Sequence, residues 1–243
     1  MAAASPPARE ASVIEEFLID VEMLRAEDPK AALEKLEAAP GALSGEPEVR
    51  LLHADLSWEL QGAGAARPEL EALVAAVPDY ADARHMLGCV YDELGLEKSK
   101  VEQFLEVLKL DEGLDHELEG VDERELEDLI VRTAEEAVAR LPEPFRTKLA
   151  GVPILVEPRP GADLVHEGFD PRALGLFEGP THLDHENAEA SATPTRIALY
   201  SANLLAESVD ENQLCAEVET TVFHEVGHYF GLDEDDLTRI GLD

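Results

Sequence analysis

The sequence predicts an α+β protein in two parts. An all-helical N-terminal half precedes a small domain that combines a short mixed sheet with one long helix. Three observations carry this reading. Residues 14–113 form successive amphipathic runs separated by short Gly- or Pro-bearing breaks. After residue 120 the composition shifts: Val152 to Val156 is rich in β-branched residues, and two further short runs, Leu174 to Glu178 and Arg196 to Ser201, read as strands. Near the C-terminus a long run with helical periodicity carries His224-Glu225-Val226-Gly227-His228. The expected organisation is a disordered tail over 1–13, a helical domain over 14–120 and the mixed domain over 121–243.

Taken in order, Ile14 to Leu24 is amphipathic. Ala31 to Ala39 is helical and ends at Pro40-Gly41, and Val49 to Leu60 ends at Gly62. Glu69 to Val77 stops at Pro78, Ala81 to Leu94 is closed by Gly95, and Lys98 to Leu110 completes the set. Short connections imply antiparallel neighbours. Gly113 to Gly120 reads as an acidic hinge, and Arg124 to Leu141 as a further helix. Val152 to Val156, Leu174 to Glu178 and Arg196 to Ser201 read as strands, with a polar loop between the last two. Asp210 can cap the final helix, with Gln213 at the capping-box position, and Gly231 stands where a helix-ending glycine belongs.

An internal repeat runs through the helical half. Trp58-Glu59-Leu60-Gln61-Gly62 matches Tyr91-Asp92-Glu93-Leu94-Gly95, and Leu87-Gly88-Cys89-Val90-Tyr91 has an L-G-x-x-Y form. A small residue at a close helix crossing and an aromatic plug one turn later account for the pattern. The region resembles two to three degenerate tetratricopeptide units, whose period is about 34 residues. That resemblance implies a surface able to bind a protein partner.

Composition narrows the function. Hydrophobic residues make up 45% of the 243, enough for a core. No apolar run approaches the roughly 18 residues of a membrane span. The N-terminus lacks the basic start and apolar centre of a secretory signal. The formal net charge of −35 is shared evenly between residues 1–120 and 121–243. A field of that sign repels nucleic acid and anionic membrane, so neither is an expected partner, whereas a cationic peptide is attracted. The acidic surface is read first as a solvated one. Cys89 and Cys215 stand apart in helical patterns and read as core residues of a reducing, cytoplasmic setting.

The H-E-x-x-H string carries chemistry. Residues four apart share a helix face, so two imidazoles can grip one ion from the same side while Glu225 reaches the attacking water as general base. A third protein ligand is needed. Only 15 residues follow His228, too few for a glutamate on a distant later helix. The string continues as HEVGHYFGLDE, with Gly231 at the step where the chain must turn sharply and Glu234 at the eleventh position. The methionines are Met1, Met23 and Met86, so no methionine turn follows. Glu234 takes the motif position, and Asp233 and Asp235 compete locally. His182 and His185 read as solvated loop residues. His53, His85, His116 and His166 have no partner pattern.

From about Leu126 to Asp243 the chain resembles the minimal zincin-like metallopeptidases. Their H-E-x-x-H-x-x-G-x-x-D motif and acidic C-terminus correspond here to HEVGHYFGLDEDDLTRIGLD, and LGLFEG and RIALYSANLLAE resemble their substrate-side strand and the strand before the active helix. Glutamate replaces aspartate at 234. The resemblance implies a Zn²⁺ site with His224 and His228 as ligands, an acidic third ligand, Glu225 as base, and a peptide or protein substrate. A reading from a different class is a scaffold or adaptor, in which the repeats bind a partner and the metal only stabilises the C-terminal domain. A combined reading has the repeats recruit a substrate to the peptidase.

Overall fold

The structure, a computed structural model, describes residues 8–115, 123–143, 145–149, 151–179 and 196–232. It divides into two compact units, Met1–Asp111 and Glu112–Asp243. The first is helical throughout its described residues. Its elements are α1 (Ala8–Glu27), α2 (Pro29–Glu37), α3 (Gly41–Ser44), α4 (Pro47–Gln61), α5 (Ala63–Ala76), α6 (Ala81–Glu93) and most of α7 (Glu97–Asp115), whose last four residues belong to the second unit. α1 starts at Ala8, ahead of the end expected for the tail, because Ala8, Arg9, Glu10 and Ala11 are all good helix formers. α5 starts at Ala63 rather than Glu69 and takes Pro68 inside it. Pro68 lacks the N–H that would bond to the Gly64 carbonyl, so the helix gives up that one backbone bond.

Two clusters of buried side chains hold this unit. Val21, Leu33, Leu36 and Leu56 join α1, α2 and α4, and Leu70, Leu87, Val90 and Tyr91 join α5 and α6. Gly88 of α6 makes room for the Phe104 ring of α7, since a Cβ there would stand 2.3 Å from Phe104 Cε1. Trp58 Nε1 donates to Glu93 Oε2 at 2.6 Å, which ties α4 to α6.

The second unit contains α8 (Glu123–Arg140), α9 (Phe145–Lys148), β1 (Ile154–Glu157), α10 (Ala162–His166), β2 (Gly175–Glu178), β3 (Arg196–Tyr200), α11 (Ser201–Ala206) and α12 (Glu211–Phe230). The sheet is mixed, in the order β1-β3-β2. β1 runs parallel to β3 with Ile154 opposite Ile197, and β2 runs antiparallel to it with Phe177 opposite Ile197. Ile197 and Leu199 on the central strand pack with Ile130 and Ala137 of α8, with Leu141 just beyond it, and with Val218, Val222 and Val226 of α12. Arg196 makes a two-pronged bond to Glu178, at 2.9 and 2.7 Å, and clamps β3 to β2. α7 runs through Gly113, where a hinge was expected. Its last residue, Asp115, is held by both prongs of Arg159 at 2.6 and 2.9 Å, which anchors the final turn; residues 116–120 of the expected hinge lie outside the described residues.

The fold is thus α+β, mostly helical with a small mixed three-stranded sheet. No helix among the described residues is long and apolar enough to cross a membrane. Cys89 and Cys215, read as core residues, carry no disulfide and are half-buried.

Candidate active site

α12 is fixed at both ends by its own sequence. The Asp210 carboxylate accepts the Gln213 N–H at 2.9 Å, which satisfies one of the unpaired donors of the first turn. Gln213 reaches back to accept the Val209 N–H at 3.1 Å. At the other end Gly231 adopts φ 68°, and the Leu232 N–H bonds to the Gly227 carbonyl at 2.9 Å. This left-handed closure needs a residue without a Cβ.

Within the helix, His224 and His228 stand one turn apart on the same face. Their ring centroids are 4.5 Å apart and the rings meet at 89°. Both line a cleft of about 420 Å³ together with Glu225. α12 provides one wall, through Glu217, Thr220 and Thr221. The facing wall is largely apolar, with Phe169, Leu174, Gly175 and Leu176. Two imidazoles opening into one cleft match the nitrogen donors that zinc takes. A larger cleft of about 710 Å³ lies between α8 and the α11–α12 turn. It holds none of the motif residues.

Glu225 lies between the helix and the sheet and is 7% exposed. The Phe177 N–H donates to its Oε2 at 2.6 Å. Burial pushes the carboxyl above the ordinary carboxylate range, while the Phe177 N–H and the neighbouring imidazoles of His228 and His224 oppose that rise. The Phe177 amide is available for structural reasons. The Tyr200 N–H bonds to the Leu174 carbonyl at 2.9 Å, so in this register Leu174, Leu176 and Glu178 bond to β3. Gly175 and Phe177 therefore turn their amides and carbonyls outward along the edge of β2 away from β3. Gly175 brings that edge close to the helix: a Cβ on it would lie 2.7 Å from Thr221 Cγ2 and 3.2 Å from Glu225 Cγ.

Several expected positions have clear placements. Tyr229 is buried and packs its ring 4.8 Å from that of Phe177, as a packing residue does. His166 is exposed, and His85 stacks on Phe104. Glu234, its competitors Asp233 and Asp235, and His116, His182 and His185 lie outside the described residues. Sequence reasoning missed the Phe177 amide, the tight approach at Gly175 and the position of Glu217. The last had a signal, because Glu217, Thr221, His224 and His228 recur at helical spacing and share one face.

The zincin-like metallopeptidase family model matches residues 149–242, a stretch that includes the whole sheet and α12. A search of curated proteins finds no match to the chain.

Proposed function

We propose that this protein is a zinc-dependent metallopeptidase, with His224, His228 and Glu234 as metal ligands and Glu225 as general base. One observation carries the reading: two imidazoles on a single helix face share a cleft with a buried carboxylate that is held in place by a backbone amide. The family match over 149–242 supports the same class. A bound zinc ion would polarise the scissile carbonyl and make water a stronger nucleophile near neutral pH.

The chain's own groups supply the rest. Glu225 takes a proton from the attacking water and returns it to the leaving amine. The Phe177 N–H fixes one carboxylate oxygen and leaves the other free for the transfer. An extended substrate can lie along the outer edge of β2, where Gly175 offers outward backbone groups, with its side chains against Phe169 and Leu174. The helical region over 14–120, read as tetratricopeptide-like, would hold a protein partner or deliver a substrate.

Glu225→Gln tests the reading. The zinc-loaded variant should keep its metal and lose peptide hydrolysis by at least about 100-fold, the range of a lost general base. Retained hydrolysis removes Glu225 from the role. A wild-type protein that binds zinc, melts higher with it and cleaves no member of a broad peptide library favours the scaffold reading.

A further inference from the structure

The α12 wall of the cleft carries one carboxylate that the proposed chemistry does not use. Glu217 is half-buried and lines the same cleft as His224 and His228. Among the described residues no cation lies within ion-pair distance of it. Its neighbour on the helix, Glu219, is by contrast engaged by Arg140 at 2.6 Å. Glu217 precedes His224 by seven residues, two turns back on the same face, a separation of about 10 Å along the axis. An extended peptide advances about 3.3 Å per residue, so that distance corresponds to about three residues. The facing wall is apolar at Phe169, Leu174 and Leu176. A long aliphatic stem lies well on such a wall, and a cationic head at its end meets the carboxylate opposite. Lysine and arginine are the side chains with that build.

We propose that Glu217 is the specificity residue of this cleft and selects peptides with lysine or arginine about three residues from the bond to be cleaved. The proposal rests on the peptidase reading for the meaning of the cleaved bond, and on the cleft alone for the binding of the cation. Net charge attracts any cationic peptide to this chain, but without regard to register. Glu217 makes the attraction depend on position. A partly desolvated carboxylate also keeps its hold at physiological salt, where interactions of exposed charges beyond about 8 Å are screened.

The test uses the full chain, zinc-loaded, in the Glu225→Gln background so that peptides are bound and not consumed. Fluorescent decapeptides carry a single lysine moved stepwise through a neutral sequence, and each is paired with a norleucine control. Anisotropy at 0.15 M salt is expected to find one register in which lysine binds about tenfold tighter than norleucine, a difference of about 1.4 kcal/mol. Glu217→Gln should bring that ratio to about one, and Glu217→Lys should reverse it in favour of a glutamate at the same register. Glu207→Gln removes the same charge outside the cleft and should keep the tenfold ratio. A lysine preference that ignores register, one that survives Glu217→Gln, or no register-dependent binding at all overturns the proposal. A parallel digestion of a peptide library by the wild-type protein should show basic residues enriched at the matching distance from the cut. Absence of any cutting there counts against the peptidase reading, while the binding ratios still decide the role of Glu217.

Discussion

Gly175→Ala probes the contact that sets the distance between the edge of β2 and the proposed base. The added Cβ would stand 2.7 Å from Thr221 Cγ2, 3.2 Å from the Ala198 carbonyl oxygen and 3.2 Å from Glu225 Cγ. Carbon atoms in ordinary contact sit about 3.5–4.0 Å apart, so the Thr221 contact must open by roughly 0.8 Å or more. None of the three neighbours yields easily. Ala198 O belongs to the backbone of the central strand, and Thr221 and Glu225 are both buried at 7% exposure. Overpacking of this kind costs about 1–3 kcal/mol. At about 4 °C per kcal/mol for a unit of this size, the second unit should melt roughly 4–12 °C lower by calorimetry. Moving Glu225 by the better part of an ångström should lower kcat/KM for peptide hydrolysis by about 100-fold. Thr221→Ser removes the clashing methyl and keeps the hydroxyl. In the Gly175→Ala/Thr221→Ser double variant, about 1 kcal/mol or more of the loss should return as coupling. A single variant within 1 °C of wild type, or a double variant no better than the sum of its parts, refutes the tight approach of β2 to α12.

Other expectations follow from the same geometry. Tyr200 is fully buried, and its hydroxyl has no hydrogen-bond partner among the described residues. Tyr200→Phe removes a desolvated polar group that costs about 1–3 kcal/mol, so the melting temperature should rise; a fall would reveal a bond to that hydroxyl. In the metal-free protein, burial makes the folded chain hold the Glu225 proton to higher pH than the unfolded chain does. Stability is therefore lost as pH rises from the unfolded carboxylate range through the raised folded value. Metal-free Glu225→Gln should melt above metal-free wild type at pH 7, with the gap closing near pH 4; a gap that does not change with pH contradicts the assignment. Phe177→Pro deletes the amide that holds Glu225 without breaking the ladder to β3, because that amide faces outward. It should lose about tenfold more kcat than Phe177→Ala, which removes the same ring and keeps the amide; equal losses would show that the bond does not position the base.

The elements most legible in the sequence were those whose ends are written locally. α12 is bounded by Asp210 and Gly231, whose side-chain chemistry and left-handed backbone act within a few residues. The three strands fell within one or two residues of their expected places because short apolar runs between turn residues have few alternatives. The short helices Gly41–Ser44, Phe145–Lys148, Ala162–His166 and Ser201–Ala206 were not legible, since one turn or so leaves no periodicity to read. The early start of α5 was hidden by Pro68, and the full length of α7 by Gly113, whose helix-breaking tendency is overcome by the clasp of Arg159 on Asp115. In the site, the His224–His228 pairing followed from spacing alone. The bond from Phe177 to Glu225 did not, because it depends on which amides the register of β2 on β3 turns outward. The role of Gly175 likewise depends on how closely the strand approaches the helix, a tertiary distance with no sequence signature.

X-ray absorption at the zinc edge, on full-length protein loaded with one equivalent of Zn²⁺, tests the central claim most directly. The account predicts one tightly held ion per chain, with two imidazole nitrogens at about 2.0–2.1 Å and oxygen donors filling the shell. It also predicts that the imidazole signature is lost in both His224→Ala and His228→Ala. A chain that takes up no zinc, or a zinc shell that neither substitution alters, would contradict it.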